Sequence, residues 1–487
     1  MRKVFRPIVA STVCTVALAV AAPIAAEPRP VDAAPRTLRI PEVHDINPDP
    51  KIVEVELTAR VARVEIAPGR HVEAWTYNGG LPGPLIRTKV GDRLIVHFTN
   101  TLPQPTTIHW HGIQVPIEMD GVPGISQKDV ETGGTFTYDF VVPDAGMFWY
   151  HPHVMSAAQV GFGLYGGLLV EDPEDGVGIA DQQVIVLSDI AVQDDGTLEP
   201  PDSGGDAGTV FGREGQVVLV NGQTSPAISL RAGSTQRWRI ANTAKSRYFQ
   251  LVLDGQPFTT IGVDGGLLTA PVTSDRILIA AGERLDVLVR PAGAPGGQLV
   301  LRALPYDRGY GSSEYRAVED LVTLNFTSEP ALPPQELPRV SRVIKPLSSE
   351  GATPVNVELT LENVDGKSEF HINGVPFWKA KPFTAKVGET QLWTITNRVK
   401  WAHPMHQHGF FFQIVDETGK PVEPIGWKDT VDVPINQTVR YLIKFDDREG
   451  EWMFHCHILD HADAGLMGTV LVGDRPRTIF HHDHLRP

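Results

Sequence analysis

The chain has 487 residues, a formal net charge of −15, 41% hydrophobic and 21% charged residues. That balance excludes a mostly disordered chain, and the absence of a basic footprint excludes a duplex nucleic-acid binder. The length predicts about three domains at roughly 150 residues each, and 46 Gly with 40 Pro favour an all-β protein rich in turns.

Residues 1–26 read as a leader. Arg2, Lys3 and Arg6 form a positive n-region, Ile8 to Ala22 a small-apolar core, and Pro23-Ile24-Ala25-Ala26 a cleavage site after Ala26. Arg2-Lys3-Val4-Phe5 echoes a twin-arginine export signal with Lys in place of the second Arg. The apolar core is too short and too Ala-rich for a membrane span. The expectation is an exported protein, periplasmic or extracellular, with no stable membrane anchor. Of the two cysteines, Cys14 falls in the leader. Cys456 then has no internal disulfide partner, so it is a buried thiol or a ligand.

Downstream, one pattern recurs three times: Asn-Gly, an apolar stretch, a Gly turn, and an alternating run that ends in Asn. The copies are Asn78-Gly79, Gly91, Asn100; Asn221-Gly222, Gly233, Asn242; and Asn373-Gly374, Gly388, Asn397, with nine residues from Gly to Asn in each. The period-two runs 93–98, 236–241 and 391–396 predict strands with one buried face. A second repeat leads from 136–140 through Gly146 to His151, and from 439–445 through Gly450 to His455. The prediction is three homologous β-sandwich domains at 37–172, 180–327 and 350–475, a linker at 328–349, and a His-containing tail at 476–487. Long helical periodicity is absent.

Ten of the 17 histidines fall in four short clusters. These are His109-Trp110-His111-Gly112, His151-Pro152-His153, His403-Pro404-Met405-His406-Gln407-His408, and His455-Cys456-His457 followed by His461. Two lie in the first domain, two in the third and none in the second. On a strand, residues i and i+2 share a face, so each His-x-His sends two imidazoles one way. One such pair only suggests a metal, since imidazole suits copper, zinc, iron or nickel. Four pairs in two homologous domains point to several metals at a seam between them. Structural zinc, which favours several thiolates, fits poorly with one available Cys. Cys456 must face away from its two neighbours; with His403 and His461 it makes a His₂Cys set, the ligation of a blue-copper site.

The ordered motifs His-Trp-His-Gly, His-x-His, His-Pro-x-His-x-His and His-Cys-His-x-x-x-His resemble the multicopper oxidases, especially bacterial laccases and copper-efflux oxidases. The resemblance spans about residues 37–475. It implies three cupredoxin-like Greek-key β-sandwich domains and four copper ions. By position it gives type 1 copper to His403, Cys456 and His461, type 2 to His109 and His406, and the type 3 pair to His111, His151, His153, His408, His455 and His457. The type 1 axial position falls on Leu466, where many bacterial relatives carry Met. Asp120, nine residues after His111, matches the family acid near the cluster and is the candidate catalytic residue for proton delivery. Where some relatives have Glu after the last type 1 His, this chain has Ala462, with Asp463 next to it.

The implied activity is one-electron oxidation of a small reducing substrate, phenol or aromatic amine, with dioxygen reduced to water, by a functional monomer. A cuprous-ion oxidase is the competing reading, but the seven Met are scattered and offer no thioether stripe for Cu(I). A non-enzymatic cupredoxin scaffold predicts eroded ligands, and the ligands are intact. A copper nitrite reductase would have two domains and lack His-Cys-His.

Overall fold

The Asn-Gly pairs fold as the turns that their chemistry demands. A tight hairpin turn of this kind needs φ > 0 at both central residues, which Asn and Gly tolerate best. Asn78, Asn221 and Asn373 take φ of 54°, 50° and 53°, and Gly79, Gly222 and Gly374 take 81°, 76° and 73°. The computed structural model describes residues 38–309, 317–333, 336–337 and 342–475. The leader and the C-terminal tail 476–487 lie outside them.

The fold is all-β, built from three cupredoxin-like sandwiches. In the first, a sheet ordered Arg70–Tyr77, Ile52–Ala67, Arg93–Asn100, Thr135–Val141 faces a sheet ordered Gly83–Lys89, Gly166–Glu171, Gly146–His151, His109–His111. Their shared core includes Val55, Leu94, Val96, Phe98, Trp110, Tyr138 and Phe148. The third has two five-stranded sheets. One is ordered Lys367–Ile372, Thr353–Val364, Thr390–Asn397, Thr438–Lys444, Phe412–Val415; the other Phe383–Ala385, Met467–Val472, Gly450–Cys456, His403–Gln407, Thr430–Val433. The second has sheets of six and five strands around Trp238, Ile240, Phe249 and Leu301.

The repeat appears in the topology as well as in the turns. Each alternating run pairs in parallel with its domain's opening strand: Arg93 opposite Ile52, Arg237 opposite Gln182, and Gln391 opposite Thr353. Each also pairs antiparallel with a later strand, Arg93 opposite Val141, Gln236 opposite Val289, and Thr390 opposite Lys444. The α-helices among the described residues are three short ones, Ser156–Gly161, Gly205–Phe211 and Leu459–Asp463. No described helix is long and apolar enough to cross a membrane.

The asparagine closing each run explains how ligands reach the seam. Asn100, Asn242 and Asn397 are fully buried. Each amide donates to carbonyls in the chain that follows: Asn100 to Gln104 O and Val130 O, Asn242 to Arg247 O and Ile279 O, Asn397 to Trp401 O, Val433 O and Pro434 O. Each side-chain oxygen accepts from the N–H two residues on. One side chain thus satisfies an irregular crossing that would otherwise bury unpaired backbone groups. In the first and third domains that crossing delivers the strands beginning at His109 and His403.

Between 328 and 349 no strand forms among the described residues. The segment is nevertheless anchored: Arg342 donates to Gly265 O, Ile344 is buried, and Gln413 bonds the backbone at Lys345 and Leu347.

Replacing Asn242 by Ala orphans two carbonyls and one N–H at a residue that is not itself a candidate ligand. The expected cost is about 1–3 kcal/mol, read as a lower midpoint in thermal or denaturant unfolding. An unchanged midpoint would contradict the role given to this corner.

Candidate metal centre

The ligand strands form matched antiparallel pairs in two domains. His109 lies opposite His151 in the first, and His406 opposite His455 in the third. Both pairs are buried where the domains meet, and rings stack across the seam. His109 lies on His408 with centroids 3.8 Å apart, and His111 on His406 at 3.7 Å.

Donor atoms converge in five neighbouring sets: His109, His111 and His406; His111, His151 and His457; His153, His408 and His455; His109, Asp120 and His408; and His403, Cys456 and His461. Within each, the atoms lie within 4.8 Å of one another. Eight imidazoles therefore form one continuous cluster and the His₂Cys set stands apart from it. As strand alternation requires, His455 and His457 join the cluster while Cys456 turns to His403 and His461.

Cys456 Sγ lies 3.5 Å from His403 Nδ1 and 3.7 Å from His461 Nδ1, and the two nitrogens are 3.1 Å apart. Three atoms so spaced lie on a circle of about 2 Å radius, the range of imidazole and thiolate bonds to a d-block ion. The Ile458 N–H points at Sγ from 3.4 Å, and the chain then turns into Leu459–Asp463, which returns His461 to the sulfur. Leu466 is fully buried, and its carbonyl accepts the Cys456 N–H at 3.0 Å.

Outward-facing hydrogen bonds set the rings. His109 Nδ1 faces Asp120 O at 2.7 Å, His151 Nδ1 faces Pro152 O at 2.9 Å, His406 Nδ1 faces Asp429 O at 3.0 Å, and His455 Nδ1 faces Cys456 O at 2.9 Å. Each carbonyl accepts from Nδ1–H and leaves Nε2 as a lone pair aimed inward. His111 is reversed: its Nε2 faces Thr430 Oγ1 and Asp429 Oδ1, each at 3.3 Å. The inward atoms, among them Nε2 of His109, His151 and His406 and Nδ1 of His111, are buried without a protein partner. Buried polar atoms are almost always paired, so this convergence is itself a mark of a metal site. A set of imidazoles with one thiol suits copper.

Burial shapes the charges. It lowers His403 and His408 to about 3, and lowers His111, His151, His153, His406, His455, His457 and His461 as well, keeping these rings neutral and able to ligate. It pushes the Cys456 thiol well up, so a thiolate there needs a cation beside it. Burial would also raise Asp120, but the His408 and His109 imidazoles outweigh it and hold the carboxyl far below the usual range. Its Oδ2 accepts from His408 Nδ1 at 2.9 Å, and Oδ1 lies 3.4 Å from His109 Nδ1. Asp463 accepts the Ala157 N–H, tying the helix after His153 to the third domain, and burial pushes it up to about 7.

Several site residues carried no signal in the sequence. Asp429 and Thr430 support His111 and His406, and burial of Asp429 is outweighed by Arg284, which keeps it ionised. Asp264 is fully buried and bonds the Arg284 N–H and Lys428. From the second domain, Val210 O meets His461 Nε2 at 3.1 Å. Of the remaining histidines, His97 pairs with Glu54 at 2.7 Å, and His371 lies beside Glu362 and Glu369, away from the cluster. Trp110, Trp149 and Trp452 are fully buried packing residues.

The comparisons agree with this geometry. Three family models, each described as multicopper oxidase, match residues 58–175, 181–314 and 351–476. Multicopper oxidase MmcO of Mycobacterium tuberculosis is 31% identical, over 85% of this chain and 86% of its own. A laccase of Bacillus subtilis is 26% identical, over 82% and 90%. Among solved structures, a multicopper oxidase from Campylobacter jejuni, described as a metallo-oxidase, superposes with a TM-score of 0.79 at 29% identity, covering 89% of this chain and 94% of that one. The chain belongs to the multicopper oxidases.

Asp120→Asn keeps the shape of the side chain but removes the charge that two ring N–H groups face. Bound copper or turnover is expected to fall about 10- to 100-fold. Copper content and oxygen uptake that both match the parent protein would contradict this.

Proposed function

We propose that the protein is a laccase-type oxidase. It takes electrons singly from four phenol or aromatic-amine molecules and passes four electrons and four protons to dioxygen, giving two waters. The observation that carries the reading is the split at Gly450–Cys456, where one strand serves a His₂Cys set and an eight-imidazole cluster. We assign type 1 to His403, Cys456 and His461, with Leu466 at the axial position; type 2 to His109 and His406; and the type 3 pair to His111, His151, His153, His408, His455 and His457. When bound, four copper ions supply the one-electron chemistry at the first set and dioxygen reduction at the second.

The chain's own groups do the rest. Cys456 joins the two sets through the peptide units to His455 and His457. Asp120 orients His109 and His408 and is the buried carboxylate through which protons reach the cluster. Burial keeps bulk water from the imidazoles. We take 37–172, 180–327 and 350–475 as the domains and 328–349 as the connector. Residues 1–26 are taken as an export leader, so the mature protein acts outside the cytoplasm as a monomer.

A cuprous-ion oxidase is the second reading, favoured by the metallo-oxidase from Campylobacter jejuni. The methionines argue for phenols instead. Met147, Met405, Met453 and Met467 are buried, and Met155 is exposed away from any thioether cluster. No surface array of soft ligands for Cu(I) stands among the described residues.

Copper-loaded protein in an oxygen electrode is expected to consume one dioxygen per four phenols without accumulating peroxide, and to oxidise Cu(I) more slowly. Faster uptake with Cu(I) would favour the second reading, and no uptake with either would end both. Leu466→Met is expected to lower the potential of the blue site, since the axial residue tunes it. A potential equal to or above the parent's would refute the axial assignment.

A further inference from the structure

The middle domain supplies no imidazole to either set, yet its loop Ala280–Arg284 lies against the cluster. Gly282, at φ +88°, has no room for a side chain: an added Cβ would come within 2.8 Å of the His457 ring. Two residues on, Arg284 is buried to 1% exposure. Its guanidinium reaches all three domains. Nε donates to Met147 O in the first at 3.0 Å. Nη1 and Nη2 donate to Gly282 O and Asp264 O in the second, each at 3.1 Å. The same two nitrogens form a fork on Asp429 of the third, at 2.6 and 2.5 Å. Gly112, next to ligand His111, has φ +89° and would collide with Arg284 if it carried a Cβ.

What the fork holds is a small hydrogen-bonded platform under two ligands. Asp429 Oδ1 lies 3.3 Å from His111 Nε2 and 3.3 Å from His406 Nδ1, and it accepts the Thr430 hydroxyl at 2.8 Å. The Thr430 oxygen in turn lies 3.3 Å from His111 and 3.2 Å from His406. These two rings form one of the two stacked pairs across the domain seam, one ring assigned to type 3 and one to type 2. A lone carboxylate there would be free to rotate off one ring. A planar guanidinium bound to both of its oxygens prevents that, and a lysine ammonium, being a point charge, would not.

We propose that Arg284 is a positioning residue for dioxygen reduction. It clamps Asp429 and Thr430 so that His111 and His406 present fixed nitrogens to the cluster, and the middle domain thereby takes part in the site without supplying a ligand. This rests on the copper assignment above.

The test uses full-length, copper-loaded Arg284→Lys and Arg284→Gln. Four quantities are read: total copper, the type 2 paramagnetic resonance signal, the visible band of the blue site, and the rate at which dioxygen reoxidises the reduced protein. The expected result is an altered or diminished type 2 signal and reoxidation slowed about 10- to 100-fold, with the visible band kept. Lys, which keeps the charge and loses the fork, should still show the altered signal. If Gln does not fold, the Lys variant decides alone. Native type 2 signal and native reoxidation in Arg284→Lys, with only a lower melting temperature, would overturn the proposal and leave a domain tie. A parent protein that holds copper but shows no type 2 signal would instead overturn the copper assignment, and the positioning role with it.

Discussion

In an extended strand adjacent side chains leave opposite faces, and the end of Gly450–Cys456 is the place where that rule does most. His455 and His457 fall on the side of the first domain; Cys456 falls on the side of His403 and His461. Two candidate metal-binding environments are thereby joined by two peptide units, with no loop or flexible linker between them. Everything around the strand keeps this register fixed. Gln407, Met405 and His406 pair with it on one edge, Met467–Val472 on the other, and the turn at Ile458 closes back on the sulfur.

The cost of the arrangement is polar burial. Ten imidazoles and several carboxylates lie where water would otherwise solvate them, and each must find a partner or a metal. The structure divides the task by atom. Outward nitrogens of His109, His151, His406 and His455 bond backbone carbonyls and those of His111 and His408 meet side-chain oxygens, while inward nitrogens point at one another. Asp120 and Asp429, one from each ligand-bearing domain, occupy related places behind the rings. Both stay ionised because the groups around them outweigh the penalty of burial. Asp120 meets ring N–H groups only; Asp429 also meets a guanidinium.

Sequence made some of this legible and left other parts hidden, for physical reasons. Strand periodicity, the Asn-Gly turns and the closing asparagines are local, so the repeat shows in the chain as three copies of one pattern. The histidine pairs are local too, since i and i+2 on a strand must share a face. Asp429 and Arg284 are 145 residues apart in sequence. Nothing local marks either as a partner of His111, which sits another domain away. The reversed ring of His111 was equally invisible, because it depends on Thr430 from the third domain. So did the contact of Val210 with His461 escape notice, since a carbonyl carries no signature of its residue.

The most direct test of the account is the copper content of Cys456→Ser beside the parent protein. If one strand serves two separate environments, the parent should hold about four coppers per chain with a strong visible band. The variant should lose that band and one copper while the cluster of eight imidazoles keeps the other three. A variant that loses all its copper together, or a parent that holds a single ion, would contradict the division on which the mechanism stands.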